Sequence, residues 1–175
     1  NHDNIVHVDD IAGRYRTVFI IMEYVTGSTL KHLLKTTPRL PEERMINFLV
    51  QICNALNDAH QNGIVHQDIK PGNIFLLPND QLKILDFGLA KLTNQVSLTK
   101  TGITLGTVAY MAPEQARGVP VDERADVFAL GAMLHFLLTG RPPRRGDRGR
   151  DILRTAASGS IDAVEELEPD APPDL

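Results

Sequence analysis

The spacing of apolar and polar positions divides the chain into short strands and longer helices. Residues 5–11 (Ile-Val-His-Val-Asp-Asp-Ile) and 17–22 (Thr-Val-Phe-Ile-Ile-Met) read as two β-strands, with Gly13 and Arg14 in the turn between them. Thr26-Gly27-Ser28-Thr29 breaks the second strand. Leu30 to Lys35 then reads as a short helix, for which Ser28 or Thr29 is a fitting N-cap. Pro41-Glu42-Glu43 opens a long helix: proline suits the first helical position, and acids suit the positive end of the dipole. Met45, Leu49, Ile52, Leu56 and Ala59 follow at steps of three or four as a buried stripe, and Asn62-Gly63 ends it. Cys53 falls within this helix and reads as a small packing residue. Ile74–Leu77 and Leu82–Leu85 are two short apolar strands turned by Asn79-Asp80. A second long helix is expected from Asp122 to Thr139, with Gly140 ending it. Val127, Leu130, Leu134, Leu137 and Leu138 wrap most of the way round, as in a central buried helix.

After the last strand come 29 residues, Asp86 to Glu114, with little periodicity. A stretch so long in a compact domain is functional or disordered. The 175 residues suffice for one domain or one large lobe. A net charge of −4 implies no bulk attraction to nucleic acid, and no nucleic-acid partner is expected. A single cysteine excludes an intramolecular disulfide and fits a reducing compartment, so a cytoplasmic location is the expectation. The longest apolar stretch, Val127 to Leu138, is too short to span a bilayer and contains His135; no signal peptide is visible. The chain starts with Asn1, which suggests a fragment.

The chemistry concentrates in His66-Gln67-Asp68-Ile69-Lys70-Pro71-Gly72-Asn73 and Asp86-Phe87-Gly88. Asp68 can take a proton from an attacking hydroxyl, and Lys70 can neutralise phosphate charge. Asn73 and Asp86 offer hard oxygen ligands suited to Mg²⁺, and the strand hairpin between them brings the two together. A loose phosphoryl-transfer transition state needs a base that orients the nucleophile, a cation and metal-holding oxygens. Asp-Phe-Gly alone is a weak signal. Asp68, Lys70 and Asn73 at fixed spacing, then Asp86-Phe87-Gly88, then Ala112-Pro113-Glu114 at the end of the 106–114 segment Gly106-Thr107-Val108-Ala109-Tyr110-Met111-Ala112-Pro113-Glu114, in that order, make a strong one. The bland alternative, a loop of solvated charges, needs three motifs to coincide.

These motifs resemble the protein kinase family, in its serine/threonine branch. Tyr-Met-Ala-Pro-Glu-Gln (110–115) and Leu-Thr-Gly-Arg-Pro-Pro (138–143) look most like the bacterial eukaryotic-like kinases. The resemblance implies an α+β, protein-kinase-like fold. Residues 1–25 would be the end of the small lobe and the hinge; residues 26–175 would be the large lobe, truncated at its C-terminal end. It implies ATP and Mg²⁺ as cofactors and a protein with a Ser/Thr acceptor as substrate. Met22 would be the gatekeeper, with Glu23 and Val25 giving backbone contacts to adenine, where the plain reading is an ordinary strand end. Thr29 would lie near the ribose, with a helix N-cap as the competing role, and Phe75 would floor the adenine. Asp68, Lys70, Asn73 and Thr107 would be catalytic, with Thr107 bonding Asp68 and Lys70; Asn73 and Asp86 would hold the metal. His66 would pack beneath Phe87 rather than act as ligand or base. Asp126 would hold the catalytic-loop backbone rather than serve as a third catalytic carboxylate.

The chain departs from the family at Gln67, where Arg is usual. Thr99, Thr101 and Thr104 are candidate phosphorylation sites in what resembles the activation segment, against the simpler reading of a Thr-rich mobile loop. A neutral Gln67 cannot make a charge-assisted pair with a phosphate, so activation is expected to depend weakly on loop phosphorylation, with Lys91 a partial substitute. Glu114 has no evident Arg partner before Leu175. Arg141, Arg144, Arg145, Arg148, Arg150 and Arg154 crowd one stretch, read as a solvated loop in preference to a binding patch, with the acidic 162–174 segment partly neutralising it. No Gly-rich loop and no strand lysine of the Val-Ala-Ile-Lys type appear, so residues 1–175 alone are expected to show little kinase activity. The competing function is a non-catalytic pseudokinase that binds partners. A small-molecule phosphotransferase is disfavoured by the 106–114 segment.

Overall fold

The computed structural model describes residues 2–14, 17–37, 39–87, 105–146 and 148–164. Two small antiparallel sheets and a group of helices make an α+β fold. Strand β1 (Val8–Arg14) pairs with β2 (Thr17–Met22), from Val8 opposite Met22 to Arg14 opposite Thr17. Gly13 and Arg14 therefore belong to the strand and not to the turn expected there, because Gly13 still pairs with Val18. Ile5 stands outside β1. It bridges Ile84, and the Val6 amide donates to the Ile84 carbonyl at 3.0 Å.

The second sheet runs in the order β3 (Ser28–Thr29), β4 (Ile74–Leu76), β5 (Leu82–Ile84). The chain reaches β3 through Gly27, and only glycine fits there. Its φ is +155°, and a Cβ would lie 1.9 Å from the Leu76 carbonyl oxygen. Helix α1 (Leu30–Thr36) follows directly. Thr29 caps it, its hydroxyl accepting the His32 amide at 3.2 Å.

Helix α2 (Glu42–Gln61) has Pro41 at its N-cap, one position before the expected site. The buried face is Phe48, Ile52, Ala55, Leu56 and Ala59. Met45 and Leu49 reach only its flank, since the stripe turns slightly from the predicted line to meet β5. Cys53, expected to pack, is exposed on the outer face. The remaining helices are α3 (Leu105–Val108), α4 (Pro113–Arg117), α5 (Arg124–Thr139) and α6 (Gly149–Ser158). α5 begins two residues later than expected and ends at Gly140 in the left-handed region. Its Val127 is 62% exposed, whereas Asp126 and His135 are buried. The wrap of apolar residues hid which side faces inward.

Phe48 and Ile52 of α2, Ile74, Leu82 and Ile84 of the sheet, and Met133 and Leu137 of α5 form one core. Each such side chain contributes about 1.5–3 kcal/mol on burial. This core is the platform on which the loop 66–73 rests. Among the described residues no helix is long and apolar enough to cross a membrane.

Candidate active site

The segment between α2 and β4 carries the predicted chemistry, and buried hydrogen bonds fix its shape. Asp126, 0% exposed on α5, accepts the His66 amide at 2.8 Å and the His60 ring at 2.8 Å through Oδ2. Its Oδ1 accepts the Gln67 amide at 2.7 Å. Gln67 adopts φ +68°, a left-handed conformation costing about 1–2 kcal/mol in a non-glycine residue. The Asp126 bonds hold it there. Asp126 thus has the backbone-holding role anticipated for it.

The His66 ring is buried and packs edge-on against Phe87, with centroids 4.6 Å apart. Its Nδ1 accepts the Asp68 amide at 3.1 Å, so Nε2 carries the proton donated to the Leu85 carbonyl at 2.8 Å. Both ring nitrogens serve the backbone, which leaves neither for a metal or a substrate proton.

Asp68 projects from this support. Its Oδ2 accepts Lys70 Nζ at 2.7 Å and Asn73 Nδ2 at 3.0 Å; Asn73 Nδ2 also reaches the Asp68 carbonyl at 2.9 Å. Asp68 Oδ1 has no hydrogen bond to any described residue. Lys70 Nζ also donates to Thr107 Oγ1 at 2.9 Å. Thr107 thus meets Lys70; no bond joins it to Asp68, the other expected partner, and Lys70 bridges the two instead.

The β4–β5 hairpin links Asn73 to the segment before Asp86: the Leu85 amide donates to the Asn73 carbonyl at 2.9 Å. Asn73 spends its amide nitrogen on Asp68, and its Oδ1 has no hydrogen-bond partner among the described residues. Asp86 is exposed and adopts φ +63°. Two hard oxygens with free lone pairs suit a divalent cation whose other ligands are phosphate and water. Among the described residues no three His, Cys, Asp or Glu side chains form a metal cluster of their own.

On the opposite edge, the Glu23 amide donates to the His7 carbonyl at 3.0 Å. The Glu23 carboxylate accepts from Lys83 and, at 2.8 Å, from the His7 amide. The Lys83 bond first, then the His7 amide, hold this carboxyl below its usual range. The Glu23 carbonyl and the Val25 amide have no backbone partner among the described residues. Met22 is half-exposed opposite Val8, and Phe75 is partly buried between Thr29 and Lys83.

The sequence reading missed two residues. Gln115, on α4, donates to the Gln67 carbonyl at 2.8 Å and accepts the Ala112 amide at 3.0 Å. It stands at the third helical position, where a glutamine can close back on the helix start, and that spacing was the available signal. Arg144, expected in a solvated loop, is 2% exposed. Burial lowers its pKa below the usual guanidinium value. Arg145 pairs with Asp162 at 3.2 Å, the neutralisation anticipated for that segment. Thr99, Thr101, Thr104 and Lys91 lie outside the described residues.

An ordered acid–lysine–asparagine–threonine set, backed by a helix carboxylate, is the kind of centre that phosphoryl transfer requires. The protein kinase domain family matches residues 1–173, and the chain belongs to that family. The resemblance drawn from its motifs is thereby borne out. Serine/threonine-protein kinase PknB of Mycobacterium leprae is 42% identical over 152 residues, which cover 84% of this chain and 24% of that protein. PknB of Mycobacterium tuberculosis is 43% identical over 154 residues, again 84% of this chain and 24% of that protein. A Clostridium acetobutylicum protein named "Probable serine/threonine-protein kinase" is 40% identical over 169 residues, 97% of this chain and 26% of that protein. The chain thus spans about a quarter of the length of the curated relatives it matches. Members of the family use ATP with a divalent metal.

Proposed function

We propose that this chain is the core of an ATP-dependent serine/threonine kinase that transfers the γ-phosphate to protein hydroxyls. Residues 1–25 would be the end of the small lobe and the hinge, and residues 26–175 the large lobe. The observation that carries the reading is the division of labour on Asp68. Oδ2 is pinned by Lys70 and Asn73, which leaves Oδ1 to orient a substrate hydroxyl and take its proton. The substrate oxygen forms a bond to the γ-phosphorus as the bond to the bridging oxygen breaks, and ADP leaves with that electron pair. Lys70, held by Thr107, lies where it can offset charge on the moving phosphoryl group. Asn73 Oδ1 and Asp86 would hold Mg²⁺, which neutralises phosphate charge when bound. The Glu23 carbonyl and Val25 amide would take the adenine edge beside Met22, with Phe75 beneath it and Thr29 near the ribose. An ATP-dependent reaction and a lone free cysteine fit a cytoplasmic location.

The test is phosphate transfer from ATP–Mg²⁺ by the full-length protein, to itself and to a generic Ser/Thr substrate, beside Asp68→Asn. Asparagine can still accept from Lys70, so the variant should fold normally while kcat falls about 10²-fold or more. No transfer from folded wild-type protein that still binds ATP would favour the pseudokinase reading instead.

A further inference from the structure

The cleft that contains Lys70, Asn73 and Thr107 continues past them to a wall formed by residues 142–146, enclosing about 730 Å³. Four of its lining residues are cations, Lys31, Lys70, Arg144 and Arg145, and none is Asp or Glu. Two of the four are already matched, Lys70 by Asp68 at 2.7 Å and Arg145 by Asp162 at 3.2 Å. Lys31 and Arg144 meet no carboxylate among the described residues. Arg144 gives Nε to the Ser160 carbonyl at 2.9 Å and Nη1 to the Met111 carbonyl at 2.7 Å, and its guanidinium lies 5.0 Å from the Phe128 ring centre. Its Nη2 is buried and has no acceptor among the described residues. At 2% exposure Arg144 does not meet what enters the cleft, but its charge in the wall favours an anion there over a cation. Gly72 separates Lys31 from Lys70. A Cβ there would lie 4.0 Å from the Lys31 Cδ and 4.0 Å from the Lys70 Cε, so the excess positive charge begins beside the proposed catalytic lysine.

We infer that this cleft selects protein segments carrying Asp or Glu next to the phosphoacceptor Ser or Thr. The inference rests on the kinase reading for the presence of an acceptor, but the charge selectivity stands on the cleft alone. A carboxylate entering it gains charge-assisted hydrogen bonds where part of the water is excluded, while a Lys or Arg side chain meets like charge. Of the six crowded arginines, only Arg144 and Arg145 line this cleft.

The test takes the full-length protein and three fluorescent peptides with one Ser, flanked by Glu, by Gln or by Lys. Binding is followed by anisotropy, and phosphate transfer is measured in parallel. The Glu peptide should bind at least about tenfold tighter than the Gln peptide, with the difference shrinking as salt rises. Lys31→Gln should reduce that ratio, and Gly72→Glu, which sets a carboxylate between Lys31 and Lys70, should shift it toward the Lys peptide. Both variants avoid the buried Arg144, whose replacement risks the fold. Equal binding of the three peptides, or a Glu preference untouched by both variants, would overturn the inference. Glu-selective binding without any phosphate transfer would uphold it and count against the kinase reading alone.

Discussion

Asp126 and Gln67, 59 positions apart in sequence, are joined by a 2.7 Å bond from the Gln67 amide to a carboxylate with no solvent exposure. That bond sets the peptide immediately before Asp68. Asp126→Asn keeps the shape but puts an NH₂ group against one of the two backbone donors. The expected loss is about 3 kcal/mol of stability, measured by urea denaturation. A variant as stable as wild type would mean that the loop holds its left-handed turn unaided.

Gln115 ties the same peptide from its other side, through the Gln67 carbonyl. We expect Gln115→Ala to lower kcat several-fold with little change in the KM for ATP, since it touches no nucleotide-facing residue. Steady-state kinetics decide this, and a change in KM alone would count against a positioning role. With Asp126 and Gln115 already ordering this peptide and Gln67 neutral, alanine at Thr99, Thr101 and Thr104 together should leave most activity in place. Loss of activity in that triple variant would sink the idea.

Thr107 Oγ1 is an acceptor for Lys70. Thr107→Val preserves the shape and removes the hydroxyl. Activity should fall about tenfold while stability drops by no more than about 1 kcal/mol. Thr107→Ser should recover most of the activity, and failure of that rescue would point to the methyl group instead.

The Glu23 carboxyl has a folded pKa below its unfolded value, because Lys83 and the His7 amide favour the charged form. Its contribution is present above the unfolded pKa of about 4.3 and is lost as pH falls through the folded value. The pair lies near the surface, so the contribution stays below about 1 kcal/mol. Stability measured between about pH 3 and pH 6 should show a shallower pH slope in Lys83→Met than in wild type. Identical slopes would mean that the ion pair adds nothing.

The residues that local order could reveal were legible in the sequence. Asp68, Lys70 and Asn73 lie within six positions of one another, so one loop brings them together, and the short β4–β5 hairpin returns the backbone to Asn73 at Leu85, the residue before Asp86. The pairing of His66 with Phe87 and the role of Asp126 followed from the family resemblance and agree with the contacts observed. What local pattern could not settle was which side of an element faces inward. Cys53 and Val127 sit among apolar neighbours on helices yet face outward, because the direction of the core is set by distant β5 and by α2. Arg144 looks like its neighbouring arginines in sequence. Its burial depends on carbonyls at Met111 and Ser160, which only the folded chain brings to it.

The carboxylate that orders the loop belongs to a helix at the heart of the core, whose unfolding requires the core to open. The His66 and Gln67 amides should therefore exchange with solvent deuterium only through global opening, at the rate of the slowest core amides. Heat should then remove catalysis and fold in one transition, with no temperature range in which a folded but misaligned enzyme accumulates.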